Sequence, residues 1–216
     1  GTSRALALQA RIHLNAGRPD DAMATVREAL RVSPRDADAL NMQASILHVR
    51  GDLQGATREY GRVLEVQPAN LEARLARTGI LLDLQRDSEA KTDLDYLQKN
   101  YTYDPRGAYL RALYASRRGD EEGVRPALQP ATRILSQLAP EFLAASDQLQ
   151  LLGGLAHHAL GEYERAKTYL AAYLEKRPRD ISARKLLGSI YLAEHQYDRA
   201  VAMLQPALRA QPDDAR

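Results

Sequence analysis

Small and helix-stopping residues recur in this chain every 34 positions, and that recurrence narrows the folds open to it more than any other feature. Gly154, Ala166, Leu170 and Pro178 fall on Gly188, Ala200, Leu204 and Pro212. Ala22, Ala56 and Ala90 keep the same spacing, as do Pro34 and Pro68. Gly17 and Gly51 are 34 residues apart and Gly119 lies 68 further on, with Gln85 in the slot between. The unit is clearest from Asp147 to Asp180, where two apolar-periodic segments, Leu149 to Leu160 and Tyr163 to Leu174, are separated by Gly161-Glu162 and closed by Pro178. Apolar residues returning every three to four positions put one stripe on one side of a helix, and Gly and Pro end it, so the unit reads as two helices and two turns.

The spacing divides the chain into six repeats, 3–36, 37–70, 71–104, 105–146, 147–180 and 181–214, the fourth carrying eight extra residues. Each new first helix is preceded by a residue whose side-chain oxygen can accept an orphan backbone N–H: Asp36, Asn70, Asp104, Ser146 and Asp180, with Asp214 closing the last unit. Pro126, Pro130 and Pro206 fall inside second helices, where each removes a helical hydrogen bond. The extra residues fall within 134–146, and the expected accommodation is about one added turn on each flanking helix, with Pro140 opening the next first helix at its N1 position. Asp214-Ala215-Arg216 resembles the Asp36-Ala37-Asp38 opening of a repeat, so the chain is expected to be a fragment of a longer array.

Period and residue types together resemble tetratricopeptide (TPR) repeats over nearly the whole of 1–216. The resemblance implies an all-α, right-handed superhelical solenoid of about six helix-turn-helix repeats, read as a single array. A helix pair of this kind buries its apolar stripe only against neighbours. Small residues in the first helix, Ala10, Ala44, Ala112, Gly154 and Gly188, let the second helix approach, with Thr78 as the exception in repeat three. Leu6, Leu40, Tyr60, Leu94, Tyr169 and Tyr191 are expected to fill the remaining space. The basic and amide clamp by which some TPR domains hold a C-terminal carboxylate is not matched: Ala7, Arg11, Asn41 or Met42, and Glu72 stand at the relevant places.

Composition excludes more than it proposes. With no Cys there is neither a disulfide framework nor a thiolate metal site. Thirty basic against 28 acidic residues leave a net charge of +2, mixed along every repeat, which does not suit nucleic acid. No run of apolar residues is long enough for a membrane span. His157 and His158 are adjacent on a helix and point about 100° apart, so they cannot share an ion. Asp93, Asp95, Glu121 and Glu122 read as exposed helix faces and helix starts, and no nucleophile has a supporting base, so neither an enzyme, a cofactor nor a metal is expected. Tyr96, Tyr101, Tyr103, Tyr109 and Tyr114 crowd the third and fourth repeats. They read as rings turned inward with the hydroxyl to water, or as an aromatic platform for sugar or peptide.

What remains is surface. On a helical wheel the fifth, ninth and twelfth residues of each repeat share the face that lines the concave side of a TPR-like array. Only Arg11 and Lys185 of these carry a formal charge, in a chain that is 27% charged. The candidate partner-binding residues on this face are Asn41, His48, Leu75, Leu82, Tyr109, Leu113, Leu151, Leu155, His158 and Lys185. Such a charge-poor face suits a helix or an extended peptide. A narrower resemblance lies in YLRALYASRRGD followed by LLGGLAHHALGEYERAKTYLAAYLEKRPRDISARKLLGSIYLAEHQYDRAVAMLQPAL, which is similar to the TPR-repeat lipoprotein of bacterial exosortase/PEP-CTERM exopolysaccharide systems. That resemblance implies a periplasmic array, membrane-tethered through an N-terminal region not present here, that helps assemble or export an extracellular polymer. Two readings follow: a scaffold holding a protein or peptide segment of an envelope complex, or a spacer or carbohydrate-contacting superhelix along a polysaccharide export path, as in cellulose or alginate systems.

Overall fold

A computed structural model describes residues 2–210, and among them the backbone forms thirteen α-helices and no strand. Twelve helices pair as six hairpins: α1 (Thr2–Asn15) with α2 (Pro19–Val32), α3 (Ala37–Val49) with α4 (Leu53–Val66), α5 (Leu71–Asp83) with α6 (Asp87–Asn100), α7 (Pro105–Arg117) with α8 (Glu121–Gln137), α10 (Asp147–Ala159) with α11 (Tyr163–Lys176) and α12 (Ile181–Ala193) with α13 (Tyr197–Ala210). A short α9 (Pro140–Ala145) stands between the fourth and fifth pairs. Pro212 and Asp214 lie outside the described residues.

Local chemistry sets these boundaries. The side chains of Asp36, Asn70, Asp104, Ser146 and Asp180 each accept a backbone N–H of the first turn that follows, from Ala39, Ala73, Arg106, Leu149 and Ala183. Asp52 and Asp120 do the same for α4 and α8, and Pro19 opens α2 where no N–H is needed. The turn inside each hairpin requires one residue in the left-handed region. Gly17, Gly51, Gly119 and Gly161 supply it with φ between 71° and 79°, while Gln85 (58°) and His195 (60°) adopt it without the glycine advantage. That requirement is why glycine recurs at the 34-residue interval and why two other residues interrupt it.

The chain divides into two compact units, Gly1–Thr102 and Tyr103–Arg216. In the first, Ala10, Ala22, Met23 and Val26 form one cluster with Ile46, and Leu40, Ala44, Ala56, Tyr60 and Val63 another with Ile80. In the second, Ala112 and Leu128 cluster with Ala156 and Leu160, and Ala166, Leu170 and Tyr173 with Leu187 and Ile190. Each cluster joins a second helix to the first helix after it, so burial is shared between neighbouring hairpins.

Three sequence expectations change here. Asp93 is not on an exposed face: it is 0% exposed and lies between Arg74 and Arg77, whereas Asp95 is exposed and pairs with Lys91 at 2.6 Å. The extra residues do not lengthen both flanking helices: α8 runs to 17 residues, and the rest forms α9. Pro140 opens α9, not the next first helix, whose cap is Ser146. Proline cannot supply the N–H that would continue α8, and its ring biases Ala139 to extended backbone (φ −61°, ψ 139°), so the insertion breaks into a separate turn of helix. That turn is fastened by Lys176 Nζ donating to the Ala144 carbonyl, and just beyond it Arg177 Nε donates to Asp147 at the start of α10 at 2.7 Å.

Candidate functional site

In the first unit α1 and α3 lie side by side, and between them opens a cavity of about 300 Å3 lined by Ala7, Leu8, Arg11, Asp38, Asn41 and Met42. Asn41 is half-buried, and its Oδ1 is buried without a hydrogen-bond partner, although its backbone carbonyl accepts from Ser45 Oγ at 3.0 Å. Ser45 Oγ in turn lies 3.2 Å from the Tyr60 hydroxyl; burial pushes the Tyr60 phenol up, against the opposing effect of that contact. A half-buried amide with an unmade bond, set between apolar side chains and two opposite charges, can hold the backbone of an extended segment. His48 is exposed at the end of α3. Leu75 (8%) and Leu82 (0%) are buried, so in this unit the predicted line is presented by Asn41 and His48. Leu8 and Met42, each one residue past a position of that line, stand about 100° round the helix from it, and Asp38 lies one turn before Asn41.

In the second unit Tyr109, Leu113, Leu151, Leu155, His158 and Lys185 are all half-buried. Tyr109 packs against Ala112 and Leu128, and burial raises its phenol. Leu151 packs against the core around Leu170, which leaves Leu113 and Leu155 as the more independent apolar positions. Burial lowers the His158 imidazole, whose ring stands 5.8 Å from Tyr163. Its neighbour His157 is 1% exposed, stacks on Tyr169 at 5.3 Å and has Nδ1 2.7 Å from Glu162 Oε2, so the two histidines face different partners. Among the described residues no group of three or more His, Asp or Glu is gathered as metal ligands.

The tyrosines separate into several environments. Tyr96 lies under the Arg74 guanidinium, 3.7 Å from ring centroid to Cζ, and tilts against Tyr101, whose hydroxyl donates to the Ala69 carbonyl. Tyr103 is 88% exposed.

A second cavity, of about 380 Å3, opens at the turn from α11 to α12 and is lined by Tyr173, Lys176, Arg177, Pro178, Arg179 and Asp180. The Tyr173 hydroxyl donates to Asp180 Oδ2 at 2.7 Å, while Asp180 Oδ1 caps α12 through Ala183. Burial and then the Asp180 carboxylate push the Tyr173 phenol up to about 12. The folded value thus exceeds the unfolded value of 10.0, so this contribution to stability is complete below pH 10 and is lost as pH rises towards 12. Urea midpoints measured across that window should fall more steeply for the unmodified chain than for Tyr173→Phe, and equal slopes would remove Tyr173 as the cause.

Helix hairpins joined by shared apolar clusters, with a charge-poor first-helix face, define a helical-repeat scaffold for protein interaction. Two family models described as tetratricopeptide repeat match residues 8–63 and 157–216, between them more than half of the chain. The chain belongs to the tetratricopeptide repeat family, whose members are generally non-catalytic scaffolds that bind proteins or peptides. Among solved structures it is similar to a chain of the APC/C hetero-tetramer Cut9-Hcn1, with a TM-score of 0.78 and 16% identity over 99% of this chain and 41% of that one. It is also similar to a tetratricopeptide repeat protein from Parabacteroides merdae, with a TM-score of 0.70 and 19% identity over 98% and 80%. A curated relative, cellulose synthase 2 operon protein C of Komagataeibacter xylinus, is 30% identical over 167 residues, covering 77% of this chain. The chain spans 11% of that relative's length.

Proposed function

We propose that this chain is a protein-binding scaffold within a bacterial envelope assembly that makes or exports an extracellular polysaccharide. The observation that carries the polysaccharide setting is the 30% identity to a protein named for a cellulose synthase operon, which agrees with the exopolysaccharide resemblance of the second half of the chain. The structural neighbours, at 16–19% identity, bear on the fold. Binding is assigned to the first-helix faces: the cavity beside Asn41 in the first unit, with His48 beyond it, and Leu113, Leu155, His158 and Lys185 in the second. A periplasmic location, tethered to a membrane through a preceding segment, belongs to the same reading.

The test is capture from an envelope extract followed by identification of what is retained. A retained protein encoded beside glycosyltransferases or an outer-membrane exporter, and lost with Asn41→Leu or Leu113→Asp, is the expected result. We expect at least a tenfold loss for Leu113→Asp, because a carboxylate buried in an apolar contact costs more than the contact supplies. Circular dichroism must show both variants folded. Retention of every partner by both variants would overturn the assignment to these faces. If the chain instead binds soluble cellulose oligomers in affinity electrophoresis and retains no protein, the spacer or carbohydrate-contacting reading replaces it.

A further inference from the structure

Two adjacent histidines of α10 stand in opposite relation to charge. His157 is 1% exposed, and its Nδ1 lies 2.7 Å from Glu162 Oε2, so a carboxylate is at hand for a proton on that ring. His158, about 100° round the helix, is half-buried and has neither a hydrogen-bond nor an ion-pair partner among the described residues. Its ring tilts against Tyr163 at 5.8 Å, and Leu155 and Leu151 continue the same side of the helix as an apolar stripe.

Charges on the elements around α10 are engaged elsewhere. Arg125 of α8 donates to the Leu160 carbonyl at 3.2 Å, Glu162 also pairs with Arg165 at 3.5 Å, and Lys167 bridges Glu164 and Glu194 at 2.7 and 2.6 Å. Arg117 and Arg118 at the end of α7 and Lys185 on α12 have partners of their own, while Glu121 and Glu122 are exposed at the start of α8. Burial is what acts on the His158 imidazole, and it holds the ring below the ordinary 6.5 although the last turn of a helix favours a cation.

We propose that the first-helix face of the second unit releases its partner on acidification, a proton taken up by His158 being the switch. The switch rests on the assignment of binding to that face. A partner lying along Leu113, Leu155 and His158 takes water from the ring, and a ring with no carboxylate at hand then holds a proton less well than in the free chain. Binding and protonation oppose one another. Affinity is complete while the free ring is neutral and weakens as pH falls through its free-chain value, by at most about tenfold per pH unit for one proton.

The probe is the envelope protein retained in the capture experiment, purified and titrated calorimetrically against the whole chain from about pH 7.5 to about pH 5. Over that range the dissociation constant should rise about three- to tenfold while the helical signal of the chain stays constant. His158→Phe keeps a ring that cannot take a proton; whatever its affinity at the upper pH, its dissociation constant should not follow pH. His158→Leu serves if His158→Phe loses its helical signal. By nuclear magnetic resonance the His158 imidazole should titrate at lower pH in the complex than in the free chain. A flat profile for the unmodified chain overturns the switch and leaves the binding face standing. A pH dependence that survives in both variants also overturns it, because the titrating group would then lie elsewhere. A chain that retains no protein at either end of the range overturns the face and the switch together.

Discussion

Replacing Asp93 with alanine should destabilise the first unit by about 3–5 kcal/mol, the cost of leaving buried cations without their counter-ion. The Asp93 carboxylate is wholly buried and receives three donors: Arg77 Nε at 2.7 Å and NH2 at 2.6 Å, and Arg74 NH1 at 2.7 Å. Arg77 retains 24% of its side-chain exposure and can turn towards water. Arg74 cannot: it is 8% exposed, stacked on Tyr96 and bonded through NH2 to the Pro68 carbonyl at 2.8 Å, with its Nε unpartnered. Arg77→Ala should therefore cost less than Asp93→Ala. Replacing all three charged residues with Met or Leu should be neutral or stabilising by about 1–4 kcal/mol, because the desolvation penalty of the ions disappears with them. Urea titrations followed by circular dichroism give the ranking. A loss below about 1 kcal/mol for Asp93→Ala, the range of an exposed pair, would show that water reaches the cluster.

The same residues show where reading from sequence stops. Caps and turns were legible because each is set by one residue's own chemistry: Asp36 or Asn70 can cap whatever surrounds it, and the hairpin turn needs a positive φ that glycine tolerates best. Asp93 was not legible, because the position it occupies is defined by a partner. The register pair formed by Arg77 and Asp93 in the third hairpin is Gly153 and Tyr169 in the fifth, where a Cβ on residue 153 would lie 2.4 Å from the tyrosine ring. Two unrelated solutions fill one place, and only knowledge of both partners distinguishes a buried carboxylate from a solvated one. Arg74 and Arg77, one helical turn apart on α5, were the available signal. The insertion was misplaced for a different reason. One added turn on each flanking helix treats the extra residues as continuous helix, but the backbone effect of Pro140 on Ala139 makes them a separate one. For the candidate site, a helical wheel specifies direction and not depth. Leu75 and Leu82 share the register of Asn41 and His48 but are buried, while Leu8 and Met42, one residue past that line, line the open cavity.

Leu170→Ala should remove about 2–5 kcal/mol from the second unit, and adding Gly154→Ala should return part of that loss. Leu170 is fully buried at the centre of the cluster that joins α11 to α12, so its truncation forfeits burial and leaves a void. Gly154 is the residue that makes room for it: a Cβ there would lie 2.6 Å from Leu170 Cγ and Cδ2, much closer than atoms can pack. Gly154→Ala alone therefore combines two opposed effects, a helix-propensity gain of about 1 kcal/mol and an overpacking cost of about 1–3 kcal/mol, and should be neutral to destabilising. With Leu170 already truncated the overpacking cost vanishes while the propensity gain stays, and the new methyl occupies part of the void. The double variant should then be more stable than Leu170→Ala, with a coupling of about 0.5–3 kcal/mol in a double-mutant cycle. Additive losses would mean that the two side chains do not share one space. The recurrence of the pair as Gly188 and Leu204, where a Cβ on the glycine would lie 2.7 Å from Leu204 Cδ2, predicts coupling of the same sign one repeat further along.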